Sequence, residues 1–213
     1  WWFRDLVLAA GFLTRLPVPT FDPEGRELLR TGWCFPLVGA AIGILGGILV
    51  WGSQALGLPV FACALVALAG TALLTGALHE DGLADLADGF GGGRDKAAKI
   101  TIMRDSRIGG YGVLALVYVT GLKASAIATL METGDTASVI IAMIAAHACA
   151  RGLIVPVTLW LPNANDGGVG KMAGQPKPST VQITMAICGG LLVILLPLST
   201  AVAAGAAGCV AAV

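Results

Sequence analysis

Apolar residues occur along this chain in blocks longer than a soluble helix needs, and the polar residues collect between the blocks. Residues 32–56 carry no charged side chain, and about 20 apolar residues suffice for a helix to cross a bilayer. This block predicts a first span. Residues 59–77 predict a second, joined to it by the turn Gly57-Leu58-Pro59. Residues 111–131, interrupted only by Lys123, predict a third, and residues 136–161, containing His147 and Arg151, a fourth. A Gly- and Pro-rich loop over 163–179 separates these from a fifth span at 181–196 and the start of a sixth at 199–213. Residues 3–16 mix apolar and charged positions at helical spacing. Trp1, Trp2, Arg4 and Arg15 flank them as interfacial anchors and Pro17 and Pro19 end them, which predicts an interfacial or re-entrant N-terminal helix. The expected fold is therefore all-α: one polytopic membrane-embedded helical bundle over 1–213, with about six transmembrane helices.

Gly39, Gly43 and Gly47 recur every four positions on one face of the first span. Small residues at that spacing let another helix backbone come close, so packing is the expected role.

Composition narrows the function. The chain has 213 residues, 56% of them hydrophobic and 12% charged, with a net charge of zero and a mean hydropathy of +0.84. Soluble domains sit near about 45–50% apolar. No basic tract is dense enough for a nucleic-acid surface. Cys34, Cys63, Cys149, Cys188 and Cys209 stand singly in apolar segments without Cys-x-x-Cys spacing, which predicts small packing residues. The chain starts without Met and stops inside an apolar run, so both ends read as trimmed.

All 13 lysines and arginines except Lys123 and Arg151 lie before the first span, between the second and third, or between the fourth and fifth. An even number of crossings separates these segments, so all three can face the cytoplasm of a bacterial inner membrane together. The polar segment 79–110 is then cytoplasmic.

That segment opens with His79-Glu80-Asp81-Gly82-Leu83-Ala84-Asp85-Leu86-Ala87-Asp88-Gly89. Ionised carboxylates near hydrocarbon depth cost roughly 2.5 kcal/mol or more each unless something offsets the charge. If the second span continues as a helix through this run, Asp81, Asp85 and Asp88 fall within about 60° of one another, while Glu80 points about 100° away from Asp81. An ordinary acidic helix end would pair its acids with Lys or Arg at i+4, and residues 83–92 contain neither. Three clustered carboxylates repel one another, and hard oxygen ligands suit Mg²⁺ or Mn²⁺. Downstream, Gly91-Gly92-Gly93 reads as a loop whose N–H groups face phosphate or merely link. Arg104 and Arg107 then offer forked donors to phosphate oxygens, and Asp105 lies between them. Lys123 and Arg151 are intramembrane cations, which face a bundle interior or polar cavity and either pair with an acid or bind an anionic substrate. His147 reads as a packed histidine outside the catalytic set.

The acidic string, followed by Ile102-Met103-Arg104-Asp105-Ser106-Arg107-Ile108-Gly109 and Tyr111-Gly112, resembles the signature of the cobalamin synthase (adenosylcobinamide-GDP ribazoletransferase) family. Supporting matches are Thr14-Arg15-Leu16-Pro17-Val18-Pro19, Phe35-Pro36-Leu37-Val38-Gly39, Lys123 and Ala150-Arg151-Gly152. The resemblance implies a Mg²⁺-dependent integral membrane transferase. In that reaction a hydroxyl of α-ribazole, or of its 5′-phosphate, attacks the cobinamide-linked phosphorus of adenosylcobinamide-GDP, and GMP leaves. Carried onto this sequence, Asp81, Asp85 and Asp88 hold metal at the diphosphate and Asp105 is a further ligand or a base. Arg104, Arg107, Lys123 and Arg151 bind substrate. The lipid bilayer is the other partner, and a homo-oligomer is compatible with the bundle. Family members continue through a further span and a Gly-Thr-Gly-Asp segment beyond the point where this sequence stops. Asp85-Leu86-Ala87-Asp88-Gly89 also resembles part of the CDP-alcohol phosphotransferase signature, of whose later aspartates only Asp105 has a counterpart. An ion-coupled transporter using the same carboxylates is a third reading, disfavoured by the lack of an inverted repeat.

Overall fold

The computed structural model describes residues 2–19, 27–161 and 173–196. Every regular element among them is helical: α1 (Trp2–Leu13), a 3₁₀ helix (Leu28–Cys34), α2 (Phe35–Ala55), α3 (Val60–Thr75), α4 (Leu78–Gly92), α5 (Lys96–Met103), α6 (Gly110–Thr133), α7 (Thr136–Gly152), α8 (Ile154–Trp160) and α9 (Pro178–Leu195). Among the described residues four stretches are long and apolar enough to cross a membrane: Leu28–Ala55, Gly110–Thr133, Thr136–Trp160 and Pro178–Leu195. The bent pair α3 and α4 makes a fifth if counted together. The expected sixth span at 199–213 lies outside the described residues.

The glycine stripe of α2 meets α7. A Cβ on Gly39 would strike the backbone of His147 and Ala148, and one on Gly43 would strike that of Met143 and Ile144. Backbone-to-backbone approach of this kind compensates for the lack of a hydrophobic drive between helices in lipid. Around this pair the buried residues form two clusters. One joins Ala9 and Leu13 of α1 to Phe35, Val38 and Ile42 of α2, Val155 of α8 and Val181 of α9. The other joins Val50 of α2 to Cys63, Ala64 and Ala67 of α3, Ala124 and Ile127 of α6, and Val139 and Met143 of α7. α1 is thus docked on the bundle, with the indole N–H of Trp33 donating to Asp5 Oδ2 at 3.0 Å.

Two helices break where the sequence reading ran them straight. Pro156 has no N–H to offer the carbonyl of Gly152, and α7 gives way to α8 there. The larger break corrects the expectation that the second span continues through the acidic run. Gly76 and Ala77 both take the left-handed conformation, at φ 65° and 55°. The Ala77 N–H donates to Ala72 O at 2.8 Å and the Gly76 N–H to Leu73 O at 3.3 Å, closing off α3. α4 leaves at 93° to α3. Arg15, in the loop after α1, locks the corner. Its N–H donates to Leu74 O at 2.7 Å, and its side chain fills the space a Cβ on Gly76 would need.

Candidate active site

The acidic run is helical throughout α4, so Asp81, Asp85 and Asp88 do share a face. Their environments differ. Asp81 is exposed, Asp85 is half-buried, and the charges of Asp81 and Asp88 both act on Asp85. Asp88 is tied down: Oδ2 accepts from the Gly109 N–H at 2.7 Å and Oδ1 from the Gly112 N–H at 2.8 Å. Those are orphan donors at the N-terminus of α6, where a carboxylate also meets the positive end of the helix dipole. Gly109 and Gly112 are glycines because a Cβ at either would collide with this carboxylate.

The segment after α4 is more ordered than a flexible phosphate loop. Gly91 and Gly92 end α4 itself, and the Gly93 N–H donates to Gly89 O at 2.9 Å. The absent side chain of Gly91 makes room for the ring of Tyr111, and that of Gly93 for Lys99. Asp95 caps α5, accepting from the Ala98 N–H at 2.8 Å. Arg104 ends α5 and is exposed. Asp105 accepts from Arg107 three times: from its N–H at 3.1 Å, Nε at 3.1 Å and Nη2 at 2.8 Å. The Arg107 guanidinium holds the Asp105 carboxyl below the usual carboxylate range, which makes it a poor base and a good support for Arg107. Asp88, Asp105, Arg107 and Tyr111 line one cleft of about 510 Å³.

A second cavity, of about 450 Å³, lies between α3, α6 and α7. It brings together Lys123 and Arg151, read from the sequence as substrate-binding, with Glu80 and His147, which that reading set apart from the site, and with His79, to which it gave no role. α4 therefore serves two sites: its first turn sends His79 and Glu80 into this cavity, while Asp88 and Gly92 line the other. The angular offset that set Glu80 apart from Asp81 is what carries it there.

The donor set of α4 suits a hard divalent cation in a restricted form. Among the described residues no three His, Cys, Asp or Glu side chains converge on one point, so α4 offers no complete protein cage. Mg²⁺ needs none, since it is commonly held by one or two carboxylates together with substrate phosphates and water. Asp81 and Asp85 fit that pattern, and Asp88 has lone pairs to spare beyond its two N–H bonds.

An all-helical bundle with apolar helices of spanning length defines a polytopic membrane protein, here with a carboxylate face beside an arginine-bearing turn and a second, polar-ended cavity. The family model for cobalamin-5-phosphate synthase matches residues 5–213, and the chain belongs to that family. A relative from Bradyrhizobium diazoefficiens, described as adenosylcobinamide-GDP ribazoletransferase, is 44% identical over 195 residues, covering 91% of this chain and 73% of the relative. Relatives with the same description from Mesorhizobium japonicum and Azorhizobium caulinodans are 39% and 42% identical, covering 94% and 90% of this chain and 76% and 74% of themselves. No solved structure matches.

Proposed function

We propose that this chain performs the adenosylcobinamide-GDP ribazoletransferase reaction of cobalamin biosynthesis at the acidic face of α4. The observation that carries the reading is the family match over residues 5–213, which includes that face and the Asp105–Arg107 turn beside it. The reaction joins α-ribazole, or its 5′-phosphate, to adenosylcobinamide-GDP. The acceptor's hydroxyl oxygen bonds to the cobinamide-linked phosphorus, the bond from that phosphorus to GMP breaks, and the hydroxyl proton is released.

Asp81 and Asp85, with Asp88 at the edge, are the residues that would hold Mg²⁺ or Mn²⁺. Bound there, the cation would neutralise diphosphate charge. Asp88 fixes the N-terminus of α6 against α4, so the acids and the turn that carries Arg107 keep one geometry. Asp105 aims Arg107 by its forked hydrogen bonds, and Arg107, with Arg104, meets the phosphoryl oxygens as charge develops on them. Arg151 and Lys123 bind substrate from the cavity between α3, α6 and α7. The distribution of Lys and Arg supports a bacterial cytoplasmic membrane location with α4 on the cytoplasmic side.

The test is GMP release by protein reconstituted in lipid nanodiscs with Mg²⁺. Release from adenosylcobinamide-GDP should require α-ribazole or its phosphate. Absence of release with both substrates present, or CMP release from a CDP-alcohol, would overturn the assignment.

A further inference from the structure

The cavity between α3, α6 and α7 is separate from the cleft at which Asp88, Asp105 and Arg107 meet. Arg151 is only 8% exposed and lines the cavity, yet its Nε has no hydrogen-bond partner, nor do Nδ1 of His147, Nδ1 of His79 and Oε2 of Glu80. Buried hydroxyls of the bundle, at the cavity and away from it, are satisfied within their own helices. Thr71 and Thr75, on the α3 wall of this cavity, close onto carbonyls of their own helix at 3.0 and 3.2 Å, as Thr184 does on α9 at 2.7 Å. Polar atoms left open together therefore point to a ligand.

The cavity's shape and polarity narrow that ligand. Its wall on α7 runs from Val139 to Arg151, about 18 Å at 1.5 Å per residue. Ile127, Leu130, Val139 and Met143 make one end apolar, and the cations and imidazoles crowd the other, next to α4. A volume of about 450 Å³ lies toward the small end of ligand sites, which span roughly 300–1,000 Å³. A nucleoside fits such a space and a corrin macrocycle with its side chains does not. Of the two substrates, one is a flat, apolar benzimidazole on a polar ribose; the other is a multiply charged diphosphate carried on a corrin.

We propose that this cavity binds the benzimidazole nucleoside, with the base in the apolar end and the ribose, or its phosphate, at Arg151 and His147. The inference rests on the ribazoletransferase reading. It gives the two substrates separate sites meeting at the first turn of α4: the nucleoside lies between α3, α6 and α7 and the diphosphate lies along the acidic face.

The experiment is steady-state kinetics in nanodiscs on Ala146→Phe, which fills the cavity from an exposed position on α7, and on Arg151→Gln and Arg151→Lys. Ala146→Phe should raise the KM for α-ribazole at least tenfold and leave that for adenosylcobinamide-GDP within twofold. Arg151→Gln should do the same, with partial rescue by Arg151→Lys. Should a variant fail to fold, α-ribazole added alone to the unsubstituted protein should raise its melting temperature, and no shift would overturn the proposal. An unchanged α-ribazole KM in a folded Ala146→Phe protein, or equal changes in both KM values, would also overturn it. So would native mass spectrometry showing a phospholipid that Ala146→Phe expels without weakening α-ribazole. Failure of the unsubstituted protein to release GMP would sink the transferase reading itself, whereas turnover with an unaltered nucleoside KM would sink only the pocket.

Discussion

Asp88→Asn separates scaffolding from chemistry within the acidic run. The Asp88 carboxylate accepts two backbone N–H groups, at 2.7 and 2.8 Å, from the start of α6. Asparagine keeps one acceptor oxygen, presents an NH₂ where the second acceptor was, and removes the charge facing the helix dipole. Losing one charge-assisted bond costs about 1.5–3 kcal/mol, and losing the charge near the helix terminus about 0.3–1 kcal/mol more. The local opening free energy of the α4–α6 junction should thus fall by about 2–4 kcal/mol. Hydrogen exchange in nanodiscs reads this directly, because a tenfold change corresponds to about 1.4 kcal/mol. The Gly109 and Gly112 amides should exchange roughly 30-fold faster or more, with α3 unaffected. Asp85→Asn should leave those amides protected, since Asp85 accepts neither N–H. Equal protection of Gly109 and Gly112 in the two variants would refute the assignment of Asp88 as the anchor of α6.

Glycine substitutions test the packing. Gly43→Ala places a Cβ 2.5 Å from Met143 O and 2.6 Å from Ile144 Cα. It should lower stability by about 1–3 kcal/mol in a detergent melt, whereas Gly52→Ala in the same helix meets nothing within 4 Å and should be neutral or mildly stabilising. Gly76→Ala combines a φ of 65° with a collision against Arg15, so it should lower the melting temperature, while Gly82→Ala, with open space around it, should not.

The spanning helices were legible because lipid permits little else: a charge-free run such as 35–55 has to close its backbone hydrogen bonds within itself. The packing role of Gly39, Gly43 and Gly47 was legible from spacing alone, though their partner, α7, was not. The corner at Gly76-Ala77 was hidden, since a single glycine in an apolar run looks like another packing glycine until its left-handed φ is seen. Asp88 read as one of three equal acids because its partners are 21 and 24 residues away. Likewise Glu80, His79 and His147 carry no motif that unites them. They meet only because α3 turns sharply into α4, bringing that helix's first turn to the cavity edge. The one available signal was the pairing of His147 with Arg151 a helical turn apart in an otherwise apolar span.

The central claim is that the free acids of α4, and Asp85 above all, hold the cation that makes the diphosphate reactive. The direct measurement is GMP release from adenosylcobinamide-GDP and α-ribazole by chelator-treated protein titrated with Mg²⁺ or Mn²⁺. Activity should return with added metal in the unsubstituted protein. In folded Asp85→Asn it should stay below about one hundredth of that level, as expected when a ligand of a charge-neutralising cation is removed. Full activity without divalent cation, or an Asp85→Asn enzyme that turns over normally, would contradict the account.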